Sequence, residues 1–286
     1  MRTPVALVAL ASVLSVAPLA GCRDHSKDNA RLAVADVELL AAQIERDVAE
    51  VQRGLPEGAK KMASVYLRGA DPHEDPSGTR RALIKAQREV PDLNISKSTF
   101  FALADDKGIG LRNNLEQDAM AGQDLLKLFP ALSKALAGEY VETVGSFGGP
   151  PRPSGPDRDW IAAAPVRTEA GKVGGLFVTG WSLRAFCRHL NEVWKHERSE
   201  QLRASGDTGK LPIFYVAIFD KTGVYSAPFT PEVSEKALTE ADLVGKTASG
   251  TFSSPINITD RDFGYAAKRT PQLGPDVGVV VLRSDL

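Results

Sequence analysis

The chain has 286 residues, with 35 Lys+Arg against 36 Asp+Glu, 43% hydrophobic and 25% charged residues. This composition belongs to a folded protein and excludes bulk disorder, because enough apolar surface is present to offset chain entropy. The formal net charge of −1 and the mixing of signs along the chain exclude the basic stripe by which a nucleic-acid binder releases counterions.

Arg2 precedes an apolar run over residues 5–20, interrupted only by Ser12, Ser15 and Pro18. A bilayer span needs about 20 residues, so this shorter run is expected to be the apolar region of an export signal. It ends in Leu19-Ala20-Gly21-Cys22, which resembles a bacterial lipoprotein lipobox. The resemblance implies cleavage before Cys22, lipidation of its thiol and anchoring to a membrane of the bacterial cell envelope. The folded part would then stand in the periplasm or at the cell surface. Acyl chains contribute about 0.8 kcal/mol per buried CH₂, enough for firm anchoring when several act together. No later stretch is long and apolar enough for a second span. Cys187 is then the one thiol left to the folded part. It stands beside Phe186 in an expected helix and is expected to be buried and inert.

Residues 22–30 are polar and are expected to form a tether. Val37, Leu40, Ile44, Val48, Val51 and Leu55 recur at helical spacing and predict a long helix with one apolar stripe. Pro56 and Gly58 should interrupt it. Thr79 is placed to cap a second helix that Pro91 stops. Strands are predicted over 99–104 and 109–112, joined by the turn Asp105-Asp106-Lys107-Gly108. A helix is predicted over 124–137 and strands over 140–147, 160–167 and 173–181. Residues 148–156 are rich in Pro and Gly and should be an irregular loop. Ser182 should cap a helix running to about Arg203. After a polar linker, a strand over 213–219, the turn Asp220-Lys221-Thr222-Gly223 and a short return strand follow. A partly helical stretch over 231–244 and strands over 250–258, 262–269 and 277–283 complete the chain.

The two halves share an order of features. Each has an apolar strand, an Asp-x-x-Gly turn, a helix, an Asp-Arg-Asp-aromatic string and two closing strands. The strings are Asp157-Arg158-Asp159-Trp160 and Asp260-Arg261-Asp262-Phe263. This order is the signature of a duplicated unit.

The run Phe101-Ala102-Leu103-Ala104-Asp105-Asp106-Lys107-Gly108, the stretches Ala121-Gly122-Gln123-Asp124-Leu125 and Ala135-Leu136-Ala137-Gly138, and Ala163-Ala164-Pro165-Val166 leading to Gly171-Lys172-Val173-Gly174-Gly175-Leu176 resemble a Cache domain, the extracellular relative of the PAS fold. Two such units on one helix resemble the double Cache arrangement over about residues 30–286. The resemblance implies an α+β fold: a long N-terminal helix followed by two PAS/Cache-like antiparallel-sheet modules. Its divisions would be a signal peptide at 1–21, a tether at 22–30, the helical spine and first module at 31–204, and a smaller PAS-like second module at 205–286. It also implies small-molecule sensing, with an amino acid, amine or carboxylate as ligand class, and signalling through another protein.

A pocket of this kind uses a few polar groups among aromatics. The first-module candidates are Tyr140, Arg158, Asp159 and Trp160, with residues 148–156 as a lid that would close over the first sheet and shift the spine. Arg158 would clamp a carboxylate, Asp159 would hold an amine and Trp160 would supply a wall. The second module offers Tyr225, Arg261, Tyr265 and Lys268. His189, Glu192 and His196 share one helix face but lack a fourth ligand, so no metal is expected. The nucleophile, zinc-protease, Walker and dinucleotide motifs are missing from the sequence, so neither an enzyme nor a cofactor is expected. The leading expectation is a membrane-anchored extracytoplasmic sensor lipoprotein that reports to a separate partner. The alternative is a non-catalytic envelope scaffold with a vestigial pocket.

Overall fold

The computed structural model describes residues 25–69, 71–148, 156–206 and 209–285. Cys22 and the centre of the 148–156 loop lie outside the described residues. The apolar stripe of the first helix becomes α1, His25–Met62, prolonged by a 3₁₀ turn over Ala63–Gly69. At 1.5 Å per residue it is about 57 Å long. Its buried positions include Ala33, Val37, Leu40, Ile44, Val48, Val51, Leu55, Ala59 and Met62, the predicted stripe carried further in both directions. The helix begins inside the stretch expected to be a tether. It also runs through Pro56, because Leu55, Gly58, Ala59 and Met62 on either side are buried and their burial outweighs one lost hydrogen bond.

Two short helices, α2 (Pro76–Glu89) and α3 (Pro91–Ile95), lie against α1. The cap of α2 is Asp75, which accepts from Gly78 N at 2.7 Å, so Thr79 falls inside the helix. The first sheet contains β1 (Phe100–Asp105), β2 (Gly110–Asn113), β3 (Val141–Gly145), β4 (Asp159–Arg167) and β5 (Val173–Ser182) in the order β2-β1-β5-β4-β3. The helix expected over 124–137 is broken into α4 (Leu125–Leu128), a 3₁₀ turn over Pro130–Leu132 and α5 (Ser133–Leu136). Pro130 is the physical reason. Helix α6 (Leu183–Ser205) is capped by Ser182, whose hydroxyl accepts from Ala185 N, and ends at Gly206 with φ 69°. The second sheet, β6 (Ile213–Asp220), β7 (Gly223–Ser226), β8 (Phe252–Ile258), β9 (Arg261–Arg269) and β10 (Gly278–Ser284), has the order β7-β6-β10-β9-β8. Helices α7 (Glu232–Thr239) and α8 (Leu243–Lys246) join β7 to β8.

The architecture is therefore α+β, with a long N-terminal helix and two antiparallel five-stranded sheets of the same strand order. One face of each sheet looks towards α1, and a single core along that helix takes Phe101, Trp160 and Phe177 from the first sheet and Val216, Ile218 and Val281 from the second. The opposite faces lie under their own covers. Phe129 and Leu132 help to cover the first, Leu238 and Leu243 the second. Gly264 marks where α1 meets the second sheet, since a Cβ there would fall 1.9 Å from Ala30 N.

Helix α6 runs antiparallel to α1, as two contacts show. His189 Nε2 lies 3.0 Å from Asp47 Oδ2. Further along α6, Trp194 Nε1 donates to Asp36 Oδ1 at 2.9 Å and Arg198 donates to the same oxygen. Arg283 Nη1 of β10 donates to Asp36 Oδ2 at 3.0 Å. Asp36 has 0% exposure, so α1, α6 and β10 are pinned to one buried carboxylate. Asp36→Ala would remove the carboxylate partner of Arg198, one of the two acidic partners of Arg283, which keeps Asp285, and the acceptor of Trp194 Nε1, and should cost about 2–4 kcal/mol. Urea unfolding measures this, and a loss below about 1 kcal/mol would show that the pin contributes little.

Candidate functional site

The Asp157-Arg158-Asp159 string is the joint between the two modules, and its three side chains go to three different places. Asp157 accepts from Ser182 Oγ at 2.6 Å, and its other oxygen is 4.0 Å from Arg184 Nε. Arg184, at the start of α6, is buried and forks onto Glu235 of α7, with Nη1 to Oε2 at 2.8 Å and Nη2 to Oε1 at 3.1 Å. Glu235 also accepts from the Ser226 amide and hydroxyl of β7. Arg184 thereby ties the end of the first module to the second. Burial disfavours its charge, but Glu235 outweighs that and raises its pKa.

Arg158 reaches the second module directly, with Nε 3.5 Å from Asp220 Oδ2. Asp220 opens the β6–β7 turn, where its other oxygen accepts from Thr222 N at 2.7 Å and Gly223 N at 3.2 Å. The two residues lie on the wall of a cleft of about 450 Å³ between the modules. Glu142 and Thr143 of β3, Lys221 and the loop over 271–277 complete it. Each acid of the cleft has a partner of its own, Glu142 from the Tyr140 hydroxyl at 2.8 Å and Asp276 from Arg269 Nη1 at 2.9 Å. Among the described residues the Arg158 guanidinium has one ion pair, the loose contact to Asp220, and Lys221 has no carboxylate partner. The cleft therefore offers cationic N–H groups to an anion, and an anion on Arg158 would compete with Asp220 across the joint.

Asp159 turns the other way, onto the covered face of the first sheet. It is 9% exposed and accepts from Phe147 N at 3.1 Å. Burial pushes its pKa up to about 6, helped by Asp157 and opposed by the Phe147 N–H and Arg158. Around it the covered face is filled rather than open. Phe147 meets Phe100 edge-on at 5.7 Å and Phe129 at 4.8 Å.

The other predicted residues do not converge. Trp160 faces α1, fully buried, and stacks on Trp181 at 4.2 Å; Phe186 continues the stack on Trp181 at 4.6 Å. Tyr140 is on the helix side of β3. Tyr225 lies against α6, with its hydroxyl 2.6 Å from Thr222 Oγ1 and the Arg184 guanidinium 5.7 Å from its ring. Tyr265 lies under the second cover and accepts from Lys246 Nζ at 3.2 Å. Lys268, three residues on, faces α1 and pairs with Glu38. Arg261 donates to Ser284 Oγ at 3.1 Å at the far end of β9. The predicted lid centre, 149–155, lies outside the described residues. Of the helical histidines, His189 belongs to the Asp47 contact, and no metal-ligating cluster is present among the described residues. Sequence reasoning missed Glu142, Asp220, Lys221 and the Arg184–Glu235 pair. The Asp220-Lys221 turn was visible as a turn, but nothing local pointed it at Arg158, 62 positions away in the numbering.

No protein-family model matches the chain, and no curated protein matches it in sequence. Solved structures do. A sensory box/GGDEF-family domain from Vibrio parahaemolyticus matches with a TM-score of 0.55 at 10% identity, covering 91% of this chain and 97% of that one. The ligand-binding domain of the Campylobacter jejuni chemoreceptor Tlp3, in complex with L-norvaline, matches with a TM-score of 0.53 at 10% identity, covering 91% and 92%. The sensor domain of the V. cholerae histidine kinase DctB matches with a TM-score of 0.50 at 15% identity, covering 90% and 98%. The fold is that of the Cache/PAS-like sensor domains of histidine kinases and chemoreceptors.

The Asp159 carboxyl predicts a pH effect. Its folded pKa, about 6, stands above the ordinary 3.8, so the folded state takes up the proton first as pH falls. The group therefore favours folding below about pH 4, and that contribution is lost as pH rises through 6. The difference is about 3 kcal/mol at 1.36 kcal/mol per pKa unit. Asp159→Asn keeps an acceptor for Phe147 N and should be the more stable form at pH 8, with the gap closing by pH 4.5. Equal stability of the two proteins at both pH values, by urea unfolding, would refute it.

Proposed function

We propose that this chain is a lipid-anchored extracytoplasmic sensor. It binds a small molecule and passes the bound state to a separate signalling or envelope protein. The observation that carries the reading is the spine: α1 lies along both sheets and is pinned through buried Asp36 to α6 and β10. A displacement in either module therefore reaches the same helix. The Tlp3 structures with L-norvaline and isoleucine support a small organic ligand for this fold. Within the chain, the inter-module cleft with Arg158 at its wall supports a ligand carrying an anionic group. Arg158 takes that group, and Lys221 adds a second positive charge. The release of Asp220 from Arg158 loosens the joint. Asp159 and Trp160 act around this centre as buried supports, and the half-buried Tyr140 holds Glu142 of the cleft. The resemblance of Leu19-Ala20-Gly21-Cys22 to a lipobox supports an anchor at Cys22, and His25, three residues later, is already in α1, which would keep the spine close to the bilayer.

The filling of the first sheet's covered face by Phe100, Phe129 and Phe147 favours one other reading, an envelope scaffold whose pocket has closed. Ligand dependence separates the two. A ligand at 100 times its Kd stabilises the folded state by about 2.7 kcal/mol, and each kcal/mol moves the melting temperature of a domain this size by about 2–4 °C. Melting the full chain in mild detergent against amino acids, amines and carboxylates should give a dose-dependent rise of about 5–10 °C with one class. Arg158→Ala should remove it. A melt that no class moves supports the scaffold. Cys22→Ser should separately abolish lipid labelling and membrane retention.

A further inference from the structure

A second pocket, of about 450 Å³, lies between the C-terminal half of α1 and the edge of the first sheet. Its floor is apolar, made by Ala59 and Ala63 from the spine and by Ala164 and Pro165 from β4; Tyr140 closes one side. Two cations stand at it, Lys60 from the last turn of α1 and Arg167 from the end of β4. No carboxylate lines it among the described residues, and Lys60 has no ion pair among them. Arg167 spends one N–H on the Gly171 carbonyl, at 3.2 Å. Glu142 is engaged by the Tyr140 hydroxyl, and Glu57 and Glu139, beside the pocket in sequence, are exposed. This pocket is on the helix side of the sheet, away from the joint and from Asp159. Lys60 alone has a structural explanation, as a cation at a helix C-terminus. That explanation does not cover Arg167, which comes from a strand to the same apolar floor.

From this arrangement we infer that the pocket binds a small amphipathic carboxylate. The acid group lies between the Lys60 ammonium and the Arg167 guanidinium, and the apolar body rests on Ala59, Ala63, Ala164 and Pro165 against the Tyr140 ring. Charge selects the head group, because a neutral amide gives up both charge-assisted hydrogen bonds. The floor selects an apolar tail over a second polar group, since each buried CH₂ contributes about 0.8 kcal/mol. Half of the floor belongs to the spine, so a bound acid bridges α1 to β4 and tightens their contact. The site lies outside the inter-module cleft and touches it only through the Tyr140 hydroxyl, which donates to Glu142 of that cleft.

Phenylacetate and phenylacetamide are the probes, titrated calorimetrically into the full chain in detergent at pH 7.5. Phenylacetate should bind and phenylacetamide should bind at least tenfold more weakly. Lys60→Ala and Arg167→Ala should each weaken phenylacetate about tenfold, the size expected for one hydrogen bond to a charged group. Both side chains are exposed, so the variants should melt like the parent without ligand, and that melt is the control for folding. Equal binding of acid and amide, no binding of the acid, or full affinity in both variants would each overturn the inference. Loss of phenylacetate binding in Arg158→Ala with retention in the two pocket variants would assign the acid to the inter-module cleft and overturn it equally. A response to amines or amino acids without one to phenylacetate would leave the sensor reading standing and refute only this site.

Discussion

A carboxylate with no exposed surface needs partners, and Asp36 has a tryptophan and two arginines. Water cannot supply the missing charge inside the core, so the three elements that carry these groups must meet where Asp36 sits on α1. That requirement fixes the sliding position of α6 along the spine and brings the last strand of the second sheet to the same level. The Asp47–His189 contact acts in the same direction. The close approaches of Ala30 to Gly264 and of Gly58 to Phe177 hold the α1 stripe sterically, and a shift by one turn would in addition separate Asp36 from all three donors. The apolar stripe supplies most of the stabilisation, and the buried carboxylate, with the Asp47 contact and the glycine-sized contacts of α1, supplies the register.

The same division appears at the joint. The two modules share one core along α1, but their relative position is set by charged contacts: the Arg184 fork onto Glu235, its approach to Asp157, and the Arg158–Asp220 contact. Arg184 and Glu235 are buried and close, so removing either would take from the other its nearest opposite charge. Arg158 and Asp220 are looser, at 3.5 Å, with Arg158 partly exposed to the cleft. One joint thus has a rigid half and a yielding half. The yielding half is the part of the joint that the proposed ligand would act on, since population shifts need only a differential affinity of a few kcal/mol. The Asp159 carboxyl adds sensitivity to pH on the neighbouring face, since its protonation changes the hydrogen bond that holds Phe147.

Much of the fold was legible in the sequence because its signals were local or periodic. The spacing of Val37, Leu40, Ile44, Val48, Val51 and Leu55 predicted the spine, and the turns at Asp105 and Asp220 were predicted with their aspartates, which cap them. The errors arose where tertiary context outweighed a local rule. Burial carried α1 through Pro56, whereas Pro130 broke a helix whose short pieces bury only a few residues each. The site was less legible, because strand direction and long-range pairing decide it. Arg158, Asp159 and Trp160 are adjacent in sequence, yet alternation along the strand sends Asp159 and Trp160 to opposite faces. No local signal pairs Arg184 with Glu235, 51 residues apart.

The duplicated string shows how far sequence similarity constrains such a structure. The two sheets have the same strand order, so the repeat is real at the level of topology. The Asp-Arg-Asp-aromatic strings nevertheless lie out of phase. Trp160 faces α1, while Phe263 faces the cover of the second sheet with Tyr265 and Ala267. A shift of one residue sends every side chain to the other face. The second string starts in a two-residue hairpin turn, where Thr259 and Asp260 have φ of 48° and 62° and Ile258 pairs with Arg261. The first string instead follows the long connection from β3. The shared residues thus serve different local needs, a tight turn in one module and an inter-module joint in the other. Equivalent residues in the two modules must therefore be matched by sheet position and face. Matched that way, Arg158 has no counterpart in Arg261, whose guanidinium points to Ser284 within its own module. The charged reach across the joint is a property of the first module alone, and the inter-module cleft is consequently asymmetric, with its cationic wall contributed by Arg158 on one side and Lys221 on the other.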